Sequence, residues 1–112
     1  MTDGFIRVCS VADIEKGAAI SAEIDGTAIA IVHADDDAVY AVRDECSHAS
    51  IALSEGEVDG CAIECWLHGS RFDLRTGAPS GLPATEPVAT YPVEVRDGDV
   101  YVSPTPSNGV KP

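Results

Sequence analysis

Basic residues are scarce in this chain of 112 residues, which has seven Lys and Arg against nineteen Asp and Glu. The resulting formal charge of −12 argues against a nucleic-acid partner, because phosphates would repel this surface. It also disfavours binding to anionic membranes. It permits docking to proteins with basic patches, which electrostatic attraction would accelerate, although a surface that serves only solubility is the alternative.

Long apolar runs are absent as well. No stretch reaches the roughly eighteen apolar residues that a membrane-spanning helix needs. The N-terminus, Met1 to Gly4, is acidic and lacks the basic and apolar regions of a signal peptide. We therefore expect no membrane association and a cytoplasmic location.

The chain has only four cysteines and three histidines. In a reducing cytosol, cysteines interleaved with histidines favour metal ligation over disulfides. Cys9 and Cys61 stand apart in strand-like runs, so we predict that both are small buried hydrophobic residues. His33 stands alone at the end of a predicted strand and is expected at the surface.

Turn signals indicate an all-β fold. Three Asp-Gly pairs, at Asp25-Gly26, Asp59-Gly60 and Asp97-Gly98, are flanked by alternating or β-branched residues, which is typical of hairpins. Many short strands joined in this way predict an antiparallel sandwich or barrel. The predicted strands include residues 19–24, 27–32, 39–42, 57–58, 61–64, 93–96 and 100–102.

Helix is scarce, and one domain accounts for the chain. Ser10 could cap a single helical turn that continues to Ile14. We predict one domain over residues 1–103 and a disordered tail over 104–112, which is rich in Pro, Ser, Asn and Gly. Within the domain, residues 43–87 are predicted to form a metal-binding subdomain whose folding depends on its metal.

Two short clips carry the chemistry. Cys46-Ser47-His48 and Cys65-Trp66-Leu67-His68 each offer one thiolate and one imidazole, and both could converge on one metal centre. A structural zinc site would also accept two cysteines and two histidines. Zinc sites usually pair Cys with Cys and His with His along the chain, whereas each clip here is mixed.

These clips and their flanks resemble the Rieske family. The stretch from Cys65 to Asp73, followed by Arg75-Thr76-Gly77, is similar to the second cluster loop of Rieske ferredoxins and of Rieske domains in ring-hydroxylating oxygenases. Gly81-Leu82-Pro83 resembles the proline-bearing loop that covers the cluster, and Asp44-Glu45 fits the first loop. The resemblance implies an antiparallel β-sandwich or barrel of the Rieske type with an inserted cluster-binding subdomain.

The resemblance also implies a cofactor and its ligands. One 2Fe-2S cluster would be held by Cys46 and Cys65 on the inner iron and by His48 and His68 on the outer iron. The chain has no second, catalytic iron site, so no catalytic residue is predicted and the protein is expected to be a carrier rather than an enzyme.

The expected role is that of a soluble one-electron carrier. It would take electrons from a flavin-dependent ferredoxin reductase and pass them to a terminal oxygenase or another redox partner. A small subunit of a nitrite reductase, or an accessory protein of iron–sulfur assembly, is the alternative. A zinc-stapled interaction module is the third possibility.

Sequence differences from the high-potential Rieske proteins indicate a branch of the family with lower reduction potentials. Ile51 and Leu67 occupy the positions of the two cysteines that form a disulfide in respiratory members, so that bridge cannot form. Ser70 keeps one hydroxyl that donates to cluster sulfur in those proteins, but Phe72 stands where a tyrosine supplies the other. We therefore predict a reduction potential in the lower part of the Rieske range.

Overall fold

The computed structural model describes residues 5–24, 26–34, 38–45, 52–64, 71–80, 87–103 and 105–106. Within these ranges the chain forms antiparallel β-sheets and two short 3₁₀ helices, Val11–Asp13 and Leu53–Glu55, and no α-helix. The predicted all-β class is confirmed. The strands are β1 (Ile6–Ser10), β2 (Ala18–Ile24), β3 (Thr27–His33), β4 (Val39–Arg43), β5 (Glu57–Asp59), β6 (Ala62–Glu64), β7 (Arg71–Asp73), β8 (Pro79–Ser80), β9 (Thr90–Tyr91), β10 (Val93–Arg96) and β11 (Asp99–Val102).

The strands form three sheets, one of which is inserted into another. Sheet 1 has the order β1-β11-β10, sheet 2 the order β2-β3-β4-β9, and sheet 3 the order β5-β6-β7-β8. The chain leaves sheet 2 after β4, builds sheet 3, and returns as β9, where Ala41 lies opposite Tyr91 and Val42 opposite Thr90. Sheet 3 is therefore an insertion between two neighbouring strands of sheet 2, as expected.

Strand β3 explains how the sheets pack. Its central residues are apolar without alternation, which is typical of a strand that is buried on both faces. Ile29 and Ile31 belong to a core with Val100 and Val102 of sheet 1. On the opposite face, a second core holds Ala30, Val32, Val42, Leu53, Ile63, Phe72, Leu74 and Val88, which joins sheet 2 to sheet 3.

Two of the three predicted hairpin turns form as expected. Asp97 (φ 50°) and Gly98 (φ 82°) are both left-handed between β10 and β11, as a type I′ turn requires. Gly26 is also left-handed, at φ 80°, between β2 and β3. The β5–β6 turn is shifted by one residue, because Asp59 pairs with Ala62 and leaves Gly60 and Cys61 as the loop.

The shifted turn corrects the prediction for Cys61. It lies at the hairpin tip and is only half-buried, with the Arg75 guanidinium donating to its Sγ at 3.1 Å. Cys9 is buried, as predicted.

His33 is also corrected, because it is buried rather than at the surface. Only 8% of it is exposed, and its Nδ1–H donates to the carbonyl oxygen of Ile14 at 3.0 Å. The segment that follows the first 3₁₀ helix covers this end of β3, a long-range contact that the local sequence does not reveal.

The predicted capped turn near Ser10 is present as the 3₁₀ helix Val11–Asp13. The Ser10 N–H donates to Asp13 Oδ2 at 3.0 Å, and the Ser10 hydroxyl donates to Asp99 Oδ1 at 3.3 Å. No helix in the described ranges is long and apolar enough to cross a membrane. Most of the predicted tail lies outside those ranges, and the domain limits 1–103 and 43–87 stay predictions.

Candidate metal centre

The four predicted ligands, Cys46, His48, Cys65 and His68, lie in segments 46–51 and 65–70, outside the described residues. Ile51, Leu67, Ser70 and the predicted covering loop within 81–86 lie outside them too. In the part of the chain that the structure describes, no group of three or more His, Cys, Asp or Glu side chains could hold a metal ion. What the structure shows is the frame from which the three segments depart.

Segments 65–70 and 81–86 depart from one edge of sheet 3. Glu64 precedes the first of these segments and lies opposite Arg71, which follows it. Arg71 in turn lies opposite Ser80, the residue before the second segment. A single cross-strand row therefore carries both ends of one segment and the start of the other, which fixes where both segments begin.

Segment 46–51 is brought to the same edge by Gly56. A Cβ atom at Gly56 would collide with the carbonyl oxygen of Glu64, so only glycine allows this approach of the two backbones. Leu53, fully buried in the core against sheet 3, anchors the chain just after the segment. The return of the first predicted ligand segment and the departure of the second therefore lie side by side.

A buried carboxylate joins the residues on either side of segment 46–51, Asp44 and Ser54, which form the neck of that segment. Asp44 is only 7% exposed, and its two oxygens accept hydrogen bonds from the Ser54 N–H and the Ser54 hydroxyl, both at 2.7 Å. The Asp44 N–H donates to the Ala28 carbonyl at 2.9 Å, which ties the same residue to β3. Both ends of the segment are thus held by sheet 2 and the second 3₁₀ helix.

Charged side chains surround these strand ends. Arg71 pairs with Glu64 at 3.1 Å, and Arg43 pairs with Glu45 at 3.2 Å. Glu57 is exposed and lies opposite Glu64, so two like charges are cross-strand neighbours. Among the described residues, both arginines near these strand ends are paired with a carboxylate, which leaves the edge acidic.

Phe72 lies two residues after segment 65–70 and is fully buried in the core against sheet 2. It carries no hydroxyl, so this position cannot donate a hydrogen bond towards a cluster. The low reduction potential stays a prediction.

The donor set and the frame fit a mixed cysteine and histidine centre. Two thiols and two imidazoles are divided between segments 46–51 and 65–70, whose described ends converge at Gly56 and Glu64. Mixed ligation of this kind suits a diiron cluster with two sulfur and two nitrogen ligands.

Sequence reasoning missed Ser54 and Gly56 as parts of this frame, and it named Asp44 only as a flanking residue. Their partners are eight to ten residues away along the chain and meet through tertiary packing. The only local signal was a glycine just before a predicted strand, which does not identify the carbonyl that it approaches.

Comparisons with known proteins identify the family. A family model described as "Rieske [2Fe-2S] domain" matches residues 4–92. The protein named ferredoxin CarAc from Metapseudomonas resinovorans is 38% identical over 103 residues, 92% of this chain and 96% of that protein. The 3-phenylpropionate/cinnamic acid dioxygenase ferredoxin subunit of Photorhabdus laumondii is 43% identical over 97 residues, 86% of this chain and 90% of that protein.

A solved structure agrees with these relatives. It is described as a complex of reduced oxygenase and oxidized ferredoxin in carbazole 1,9a-dioxygenase. The matched chain superposes with a TM-score of 0.86 at 34% identity, and the match covers 95% of this chain and 98% of the other.

Proposed function

Because this chain belongs to the Rieske [2Fe-2S] domain family and so carries one 2Fe-2S cluster, we propose that four residues outside the described ranges hold that cluster. When bound, such a cluster exchanges single electrons, at potentials of roughly −150 to +300 mV against about −400 mV for plant-type ferredoxins. Cys46 and Cys65 suit the inner iron, and His48 and His68 suit the outer one. The protein is an electron carrier and not itself an enzyme.

The proposed route of the electron runs from a flavin-dependent ferredoxin reductase, through this protein, to the terminal oxygenase of a ring-hydroxylating dioxygenase. The observation that carries the proposal is the near full-length match to two proteins named as ferredoxins, each covered to 90% or more. The superposed ferredoxin in complex with an oxygenase supports an oxygenase as the acceptor. A nitrite reductase subunit or an assembly accessory is not favoured, because neither relative is named as one.

We place the protein in the cytoplasm as part of the same proposal. Cys9, one of the cysteines that the structure describes, is a buried free thiol. Free thiols persist in reducing compartments, where glutathione and thioredoxin keep them reduced.

The acidic edge supports docking to a partner that presents basic residues. Glu45, Glu55 and Glu57 lie near the ends of the ligand segments and are exposed or half-buried. Opposite charge on the partner would steer this edge towards it and orient the proposed histidine ligands for transfer.

The proposal is tested by stopped-flow reoxidation of the dithionite-reduced protein. The test uses purified oxygenases of the carbazole and 3-phenylpropionate systems as acceptors. We expect rapid reoxidation by at least one oxygenase. Its rate should fall steeply as ionic strength rises, because charges more than about 10 Å apart are screened at 0.1 M salt. Glu57→Gln should slow the reaction at low salt.

Asp99→Asn is the matched control for that charge change. It removes one carboxylate from sheet 1, a different sheet from the ligand-segment ends, and should leave the rate unchanged. Transfer to a nitrite reductase but to no oxygenase would contradict the proposal.

A further inference from the structure

Hydrogen bonds hold both the side chain and the backbone of Asp44. Its carboxylate oxygens accept from two donors of one residue, the N–H and the hydroxyl of Ser54, each at 2.7 Å. Hydrogen bonds to a charged acceptor are shorter and roughly twice as strong as neutral ones. Its backbone is held separately, through the 2.9 Å bond from its N–H to Ala28.

The partner of Asp44 is itself fixed. Ser54 lies in the 3₁₀ helix Leu53–Glu55, next to the fully buried Leu53. The Gly56 N–H donates to the Leu53 carbonyl at 2.9 Å and closes that helix. The side of Gly56 where a Cβ atom would lie packs against the Glu64 carbonyl. The Asp44–Ser54 contact therefore joins sheet 2 to the point where both ligand segments converge.

Asp44 forms no ion pair with a basic side chain in the part of the chain that the structure describes. Among the described residues, the neighbouring Arg43 forms its ion pair with Glu45 instead. Its described hydrogen-bond donors, the N–H and the hydroxyl of Ser54, are neutral groups. Asp44 is two residues from Cys46, which limits the distance between their Cα atoms to about 7 Å.

We propose that Asp44 is a positioning residue for the iron–sulfur cluster. Asp44 closes the neck of segment 46–51 through Ser54, and it sets a fixed negative charge near the proposed ligands. The inference rests on the ligands proposed above. Closing the neck fixes where the segment begins and ends. The fixed charge opposes the addition of an electron at the cluster and so lowers its reduction potential.

The test is a spectroscopic redox titration of three cluster-loaded variants beside the unaltered protein. Asp44→Asn keeps the shape of the side chain and removes its charge. At a fixed applied potential it should raise the ratio of reduced to oxidised protein about tenfold, the effect of one charge at this range in a partly buried site. A tenfold change corresponds to ~59 mV for one electron. Asp99→Asn, which neutralises a carboxylate that bonds to Ser10 and Arg7 in sheet 1, should leave the ratio unchanged.

Ser54→Ala separates closure from charge, because it removes one donor and leaves the Asp44 carboxylate in place. It should change the ratio far less than Asp44→Asn, yet speed the loss of visible absorbance in the presence of a chelator. An Asp44→Asn ratio equal to that of Asp99→Asn would overturn the charge role. Cluster retention in Ser54→Ala equal to that of the unaltered protein would overturn the closure role.

These outcomes are distinct from a failure of the proposed function. If the unaltered protein shows no Rieske cluster, the ligand assignment fails. If it shows one and the variants behave like their control, only the role of Asp44 fails.

Discussion

The hydroxyl of Tyr91 is buried without a hydrogen-bond partner in the described part of the chain. Tyr91 packs in the core between sheets 1 and 2 with 4% of its surface exposed. Burial raises the pKa of this phenol, so the hydroxyl keeps its proton and stays neutral. An unpaired buried polar group destabilises a fold by about 1–3 kcal/mol, so the Tyr91 hydroxyl lowers the free energy of unfolding.

Tyr91→Phe should therefore stabilise the protein. Removing the unpaired hydroxyl while keeping the ring should raise the free energy of unfolding by about 1 kcal/mol. In a domain of this size that raises the thermal midpoint by about 4 °C, measured by circular dichroism at one scan rate.

Tyr101→Phe is the matched control for that change. Its ring packs under the Arg96 guanidinium at 4.8 Å and is half-buried, so losing its hydroxyl should change the midpoint little. A lower midpoint for Tyr91→Phe than for the control would show that the hydroxyl has a partner. No pattern in the sequence distinguishes a paired tyrosine hydroxyl from an unpaired one.

At the scale of elements, the local hairpins were predictable and their contacts were not. The Asp-Gly pairs predicted strands β2, β3, β10 and β11 to within one residue, because left-handed glycines and alternating side chains are local properties. The pair Asp59-Gly60 predicts the β5–β6 turn one residue early. Both registers keep a glycine in the turn, and the packing of Ile63 against sheet 2 selects one of them.

Gly56 is the element-scale contact with the clearest consequence. Gly56→Ala would place a methyl group against the Glu64 carbonyl, and a backbone group cannot rotate away as a side chain can. We expect a loss of about 1–3 kcal/mol, as for other overpacked sites, together with faster cluster loss. Thermal unfolding and chelator-driven loss of visible absorbance measure the two effects.

Gly60→Ala provides the control within the same subdomain. Gly60 has φ 62° and open space around its Cβ position, so the substitution strains the backbone without a collision. It should cost about 1–2 kcal/mol and leave cluster retention unchanged. Equal retention in Gly56→Ala and Gly60→Ala would show that the Gly56 contact does not support the ligand segments.

At the scale of the whole molecule, sheet 2 lies between two cores and carries the insertion that builds the site. Sequence predicted the all-β class and the inserted subdomain, but not that β3 faces sheet 1 on one side and sheet 3 on the other. That arrangement depends on pairings between distant strands, such as β1 with β11 and β4 with β9. The ligand assignment depends on the sequence pattern and on family membership, while the structure supplies the converging strand ends.

The acidic character of the chain also acts at this scale. The formal charge of −12 is spread well beyond the edge at Glu57 and Glu64, so the basic partner proposed above would meet an attractive field before it reached the docking residues. In that proposal, specific orientation would depend on the few carboxylates near the ligand segments.

The central claim is that a mixed cysteine and histidine 2Fe-2S cluster makes this chain a Rieske electron carrier. A spectroscopic redox titration of the unaltered protein and of His68→Cys tests it most directly. We predict a midpoint in the lower part of roughly −150 to +300 mV for the unaltered protein. In His68→Cys the midpoint should move towards about −400 mV, because a third thiolate adds negative charge. A colourless protein loaded with zinc, or an unaltered midpoint already near −400 mV that His68→Cys leaves in place, would contradict the account.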